Sequence, residues 1–133
     1  MLSTQEEEFV IRGQLKKSDG TKISYDAILL PNRLYKVDEQ HFGEATIRCV
    51  QKVNESTYSI ELVTDRITPL VWLQLLNSDG VQAHWFSDNA FTMTEPTKTV
   101  WLYLIKFDSK RPSIGFDDIR VCSLRNCGLQ TFD

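Results

Sequence analysis

Apolar and polar residues alternate with a period of two along most of this chain, the pattern of half-buried β-strands, whose successive side chains leave opposite faces. Over 9–16, Phe9, Ile11 and Leu15 alternate with Val10, Arg12, Gln14 and Lys16; over 22–30, Ile23, Tyr25, Ala27 and Leu29 line one side. Ser18-Asp19-Gly20-Thr21 between them is a hairpin signal. The next strand is predicted over 45–53, with Ala45, Ile47 and Cys49 on the inward face opposite Thr46, Arg48 and Lys52. Asn54-Glu55-Ser56 then turns the chain into 57–64, where Tyr58, Ile60 and Leu62 point one way. A strand over 70–76 ends at the turn signal Asn77-Ser78-Asp79-Gly80. The stretch from Trp85 to Trp101 closes short apolar segments around a Ser87-Asp88-Asn89 bend and a Glu95-Pro96-Thr97 turn. Over 99–107, Val100, Leu102 and Leu104 share one face while Trp101, Tyr103 and Ile105 share the other. A polar loop over 108–113 leads to a last strand over 118–124, with Ile119 and Val121 inward. No segment carries a sustained helical stripe, so the expectation is an all-β, two-sheet antiparallel sandwich.

Composition narrows the classes. A chain of 133 residues can bury one core without disulfides or metal, and the expected division is a single domain over 9–125 with tails at 1–8 and 126–133. With 41% hydrophobic and 25% charged residues it reads as a folded chain. A formal charge of -3 offers no positive field for phosphates, so nucleic acid is not an expected partner. The apolar run at 69–76 is too short for a bilayer and is interrupted by Gln74, so no membrane partner is expected either. Residues 1–8 lack the basic start and apolar core of a secretory leader, which leaves a cytosolic protein or a fragment of a longer one.

Candidate chemistry is sparse. His41 and His84 are the two histidines, and neither has a matched nucleophile in the sequence. No G-x-S-x-G, H-E-x-x-H or phosphate-cradling glycine loop occurs. Asp117-Asp118 are neighbours on opposite faces of a strand, and Glu6 to Glu8 form a solvated run, so no carboxylate pair suits glycoside hydrolysis. Bridging Cys49 to Cys122 would need a change of sheet face; Cys122 to Cys127 could close a small loop, or the thiols could stand idle. The spacing matches no zinc site, and no cofactor is implied. Trp72, Trp101 and Tyr103 fall out of phase with the core positions of their strands and, with Trp85, could contact a neighbouring domain or stack on sugar rings. Domain contact has the greater weight, because apolar patches on excised domains mark lost interfaces.

Three segments carry a resemblance: Pro69-Leu70-Val71-Trp72-Leu73, Phe86-Ser87-Asp88-Asn89-Ala90-Phe91 and Glu95-Pro96-Thr97-Lys98-Thr99-Val100. They are similar to the C-terminal immunoglobulin-like domain of animal lysosomal β-mannosidase, in the mannosidase branch of glycoside hydrolase family 2. Phe9 to Leu15, Gly43-Glu44-Ala45-Thr46-Ile47 and Ile119-Arg120-Val121-Cys122-Ser123-Leu124 extend the likeness over nearly the whole chain. The longer link from Asn77 to His84 departs from the family, as does Ala90, where glycine near the bend is common. The Ser-Asp-Asn pattern is also similar to exo-glucosaminidases. The resemblance implies an immunoglobulin-like antiparallel β-sandwich of two sheets, itself non-catalytic. Its parent would remove terminal non-reducing β-mannose with two glutamates of a (β/α)8 barrel that lies outside this chain. The implied partners are the parent's other domains, with oligosaccharide binding or an unrelated protein-interaction role as alternatives. The implied location is lysosomal, which makes Asn54-Glu55-Ser56 a candidate N-glycosylation site. Ser87, Asp88 and Asn89 are expected to hydrogen-bond the backbone of their own bend.

Overall fold

The computed structural model describes residues 10–30 and 41–125. Phe9, the tail residues 1–8 and 126–133, and with them Cys127, lie outside the described residues. Among the described residues run nine strands: β1 (Ile11–Gly13), β2 (Ala27–Leu29), β3 (Thr46–Asn54), β4 (Thr57–Val63), β5 (Thr68–Leu75), β6 (Val81–Phe86), β7 (Phe91–Met93), β8 (Thr97–Phe107) and β9 (Ile119–Cys122). One sheet has the order β3-β4-β8-β6, the other β7-β5-β9, and β1-β2 form a separate ribbon. All pairings within them are antiparallel. The predicted all-β sandwich of two antiparallel sheets is therefore the fold.

Period two explains the core. Tyr58, Ile60 and Leu62 of β4 are fully buried, as are Val100 and Leu102 of β8, and Leu104 nearly so. Across the sandwich they meet Val71, Leu73 and Leu75 of β5, Met93 of β7 and Ile119 of β9. Each such side chain removed from water contributes about 1.5–3 kcal/mol of apolar transfer, which is why the register cannot slip by one residue. The pairing β4–β8 runs without a bulge from Thr57↔Tyr103 to Val63↔Thr97.

One expectation needs correction, and two points left open by the sequence are decided. The inward face assigned to Cys49 is wrong: a bulge between Ile47 and Cys49 shifts the phase, so Val50 packs on the core and Cys49 lies opposite Glu61 on the outer face. The side of the first hairpin formed by Ile23, Tyr25 and Leu29 faces solvent, and so do Ile11 and Leu15, because the ribbon is no member of either sheet. Its regular pairing is also shorter than 9–16 and 22–30, although the predicted turn forms. There Gly20 adopts a positive φ of 91°, its N–H donates to the Lys17 carbonyl, and the Asp19 carboxylate accepts from Thr21 N–H. Finally, Cys122 is not an idle thiol: it is fully buried and disulfide-bonded, while Cys49 is free.

Candidate functional site

The chain changes sheets at the Ser87–Ala90 bend, leaving β6 in one and entering β7 in the other. Most hydrogen bonds of this bend reach neighbouring strands instead of its own backbone. Ser87 exchanges bonds with Trp101 of β8: its N–H donates to the Trp101 carbonyl at 2.8 Å, and its hydroxyl accepts from Trp101 N–H at 2.9 Å. Asn89 does the same for the other sheet, accepting from Leu73 N–H at 2.8 Å and donating to the Leu73 carbonyl at 3.3 Å. The side-chain amide thus stands in for a strand residue beside β5, where β7 is short. One local bond remains, from Ala90 N–H to Asn89 Oδ1 at 3.2 Å. Ala90 holds a φ of 54°, a conformation that suits glycine better. Replacing Asn89 by alanine leaves both Leu73 groups without this partner; we expect a loss of about 1–3 kcal/mol and faster amide exchange at Leu73. Unchanged exchange there would remove the amide from the sheet's support.

Beside the bend lies a cleft of about 540 Å³. Its walls come from Lys22, Tyr25, Asp26 and Ile28 of the ribbon, residues 85–92, and Lys98. The ribbon is tied in place by Arg12, whose guanidinium donates to Thr94 Oγ1 at 3.0 Å and pairs with Glu95 at 3.1 Å. Trp85 stacks on Tyr103 with centroids 5.3 Å apart and planes 21° from parallel. Lys98 pairs with Asp88 at 2.9 Å and sits 4.8 Å over the Phe91 ring. On the facing wall Lys22 pairs with Asp26 at 2.8 Å, and Gln14 donates to the same carboxylate at 2.7 Å. Partial burial pushes the Asp26 carboxyl up, but the bonds from Lys22 and Gln14 outweigh it and hold the group below the usual carboxylate range. Its contribution to stability is therefore present above the unfolded value and disappears as pH falls through the lower folded one.

The four aromatics singled out in the sequence do not share one surface. Tyr103 and Trp101 lie on the outer face of β8, and Trp85 borders the cleft; Trp72 is on the other sheet, in register with Cys122. Tyr25, Asp26, Lys22, Phe91 and Lys98 escaped sequence reasoning. The Lys22-Asp26 spacing stands in the sequence, but nothing local to it places the ribbon against the bend. At the opposite edge of the sandwich a smaller groove of about 390 Å³ runs between β3 and β9, lined by Ala45, Ile47, Leu76, Phe116 and Ile119 among others.

His84 and Cys49 are each engaged by a neighbouring side chain. His84 sets its ring edge-on to Phe86 at 5.7 Å and pairs with no nucleophile. The Cys49 thiol donates to Glu61 at 3.5 Å; desolvation and then that carboxylate push it above the ordinary thiol range, so it is a poor nucleophile at neutral pH. Among the described residues no group of His, Cys, Asp or Glu could hold a metal ion.

Comparison with known proteins adds an independent line. The sequence profile of a mannosidase-associated family, described as an Ig-fold domain, matches residues 42–127. A probable β-mannosidase of Caenorhabditis elegans is 34% identical over 124 residues, covering 93% of this chain and 13% of that protein. The β-mannosidases of Capra hircus and Bos taurus are each 37% identical over 67 residues, half of this chain and 7% of theirs. The chain thus spans a small fraction of the relatives it matches. No solved structure matches it.

Proposed function

Because the chain belongs to the mannosidase Ig-fold domain family, we propose that it is the non-catalytic C-terminal Ig-like domain of a glycoside hydrolase family 2 β-mannosidase. That parent hydrolyses terminal non-reducing β-D-mannose residues of oligosaccharides, with catalytic carboxylates supplied by other domains. This domain packs on them and stabilises the whole. The observation that carries the packing role is the groove between the β3 and β9 edges, where Leu76 and Phe116 remain 51% and 56% exposed. Exposed apolar side chains at an open sandwich edge suit a neighbour, and the C. elegans relative has 87% of its length outside the match, 100 minus 13.

A lysosomal route is part of the same reading. It is supported by the disulfide at Cys122, which suits an oxidising compartment, and by Asn54 at the exposed β3–β4 turn. Asn54 Oδ1 accepts from Ser56 N–H at 2.9 Å and from the Ser56 hydroxyl at 3.1 Å, leaving the amide nitrogen to carry a glycan.

The full-length protein, produced in a secretory eukaryotic host, tests the proposal. It should hydrolyse a β-mannoside, and Asn54→Gln should abolish one mobility step sensitive to peptide N-glycosidase. The pair Leu76→Asp and Phe116→Asp should lower the parent's unfolding midpoint by about 5 °C or more while hardly moving that of the isolated chain. Cleavage of β-glucosaminides alone would reassign the parent to the exo-glucosaminidases. An unmoved midpoint would remove this groove as the packing surface.

A further inference from the structure

We propose that the cleft between the β1–β2 ribbon and the Ser87–Ala90 bend is a saccharide-binding site that takes neutral pyranose rings. Its volume of about 540 Å³ falls within the roughly 300–1,000 Å³ of small-ligand clefts. Two aromatic rings on its walls are left in water: Tyr25 is 77% and Trp85 55% exposed. Flat aromatic faces of this kind stack on the C–H face of a sugar ring, leaving the ring's hydroxyls free for polar partners at its edge. Trp85 is already oriented by stacking on Tyr103, so little side-chain freedom is lost when a ligand arrives.

Charge on the walls selects the ligand class. Lys22 is balanced by Asp26, and Lys98 by Asp88. Each pair keeps spare ammonium hydrogens and carboxylate lone pairs for hydroxyl groups, while the cleft as a whole carries no net charge from these four residues. Phosphorylated or acidic ligands would meet the two carboxylates without a surplus cation to compensate. A polyhydroxylated neutral ring satisfies donors and acceptors together. The ligand class follows from the wall chemistry alone and does not rest on the proposed parent.

The test is a titration of the 133-residue chain followed by ¹H–¹⁵N spectra. Mannobiose, cellobiose and chitobiose are the neutral probes, with AMP and glucuronate as charged ones. The expected result is a saturable shift of the Trp85 indole N–H with at least one disaccharide, at a Kd on the order of 1 mM, with the Trp72 indole N–H unmoved. Trp85→Ala and Tyr25→Ala should each weaken binding about tenfold or more. Tyr25 is so exposed that its variant stays folded and keeps the test decisive even if Trp85→Ala does not fold. The proposal is overturned if no disaccharide gives a saturable shift in the folded chain, if Tyr25→Ala binds like the parent sequence, or if the charged probes bind more tightly than the neutral ones.

Discussion

Gly43→Ala should lower the stability of this domain by about 3 kcal/mol, and its unfolding midpoint by roughly 10 °C. A Cβ at position 43 would stand 2.5 Å from Thr64 Oγ1 and 2.8 Å from both the Arg66 carbonyl and Thr68 Oγ1. Those neighbours cannot yield easily. The Thr64 and Thr68 hydroxyls lie 3.1 and 2.8 Å from the Arg66 carbonyl and 2.7 Å from each other, so their two protons hold all three oxygens together, and Thr68 is fully buried. Gly43 N–H itself donates to the Ile67 carbonyl at 3.0 Å, so the two segments cannot separate without losing that bond. The glycine is needed here for close approach between backbones, not for an unusual φ. Gly115→Ala is the natural control: its nearest neighbour would be Asp118 Oδ2 at 3.8 Å, an ordinary contact, and a change within about 0.5 kcal/mol is expected. Urea unfolding of both variants checks the contrast, and equal midpoints would dismiss the steric argument.

The second large effect is at Tyr58. Its ring is fully buried between the sheets, and its hydroxyl accepts from Ile114 N–H at 3.3 Å and from Arg111 Nη2 at 3.1 Å. The Arg111 guanidinium also lies over the Tyr58 and Phe107 rings, at 5.7 and 5.6 Å. One side chain therefore fills the core and fastens the loop between β8 and β9 to it. Truncation to alanine should cost about 3–5 kcal/mol, the range for deleting a buried aromatic. Tyr58→Phe keeps the ring and strands the Ile114 amide and Arg111, for about 1–3 kcal/mol. Calorimetry of the pair separates packing from fastening. If Tyr58→Phe melts with the parent sequence, the hydroxyl holds nothing.

Much of this fold is legible in the sequence. Tyr58, Ile60 and Leu62 on one side of a strand, and Val100, Leu102 and Leu104 on one side of another, declare a buried face through spacing alone. The turns at Asp19-Gly20 and Asp79-Gly80 are equally plain, and both glycines have positive φ. Cys49 is misplaced by periodicity because a bulge adds a residue without changing composition, and no spacing rule reveals it. The exposed face of Tyr25 is ambiguous for another reason: a ribbon outside both sheets can turn either side toward them.

What the sequence by itself determined is local and periodic: an all-β chain, most of its strand faces, its principal turns, and a family likeness carried by the segments around Trp72 and Ser87. What only the tertiary structure decided is which distant segments meet. Asn89 sits 16 residues from Leu73 in sequence yet completes its strand pairing. Arg12 reaches across 83 residues to Glu95 and so sets the ribbon beside the bend, creating the cleft. Period and propensity act within a few residues of chain, whereas a cleft is made by contacts whose sequence separation leaves no trace in either.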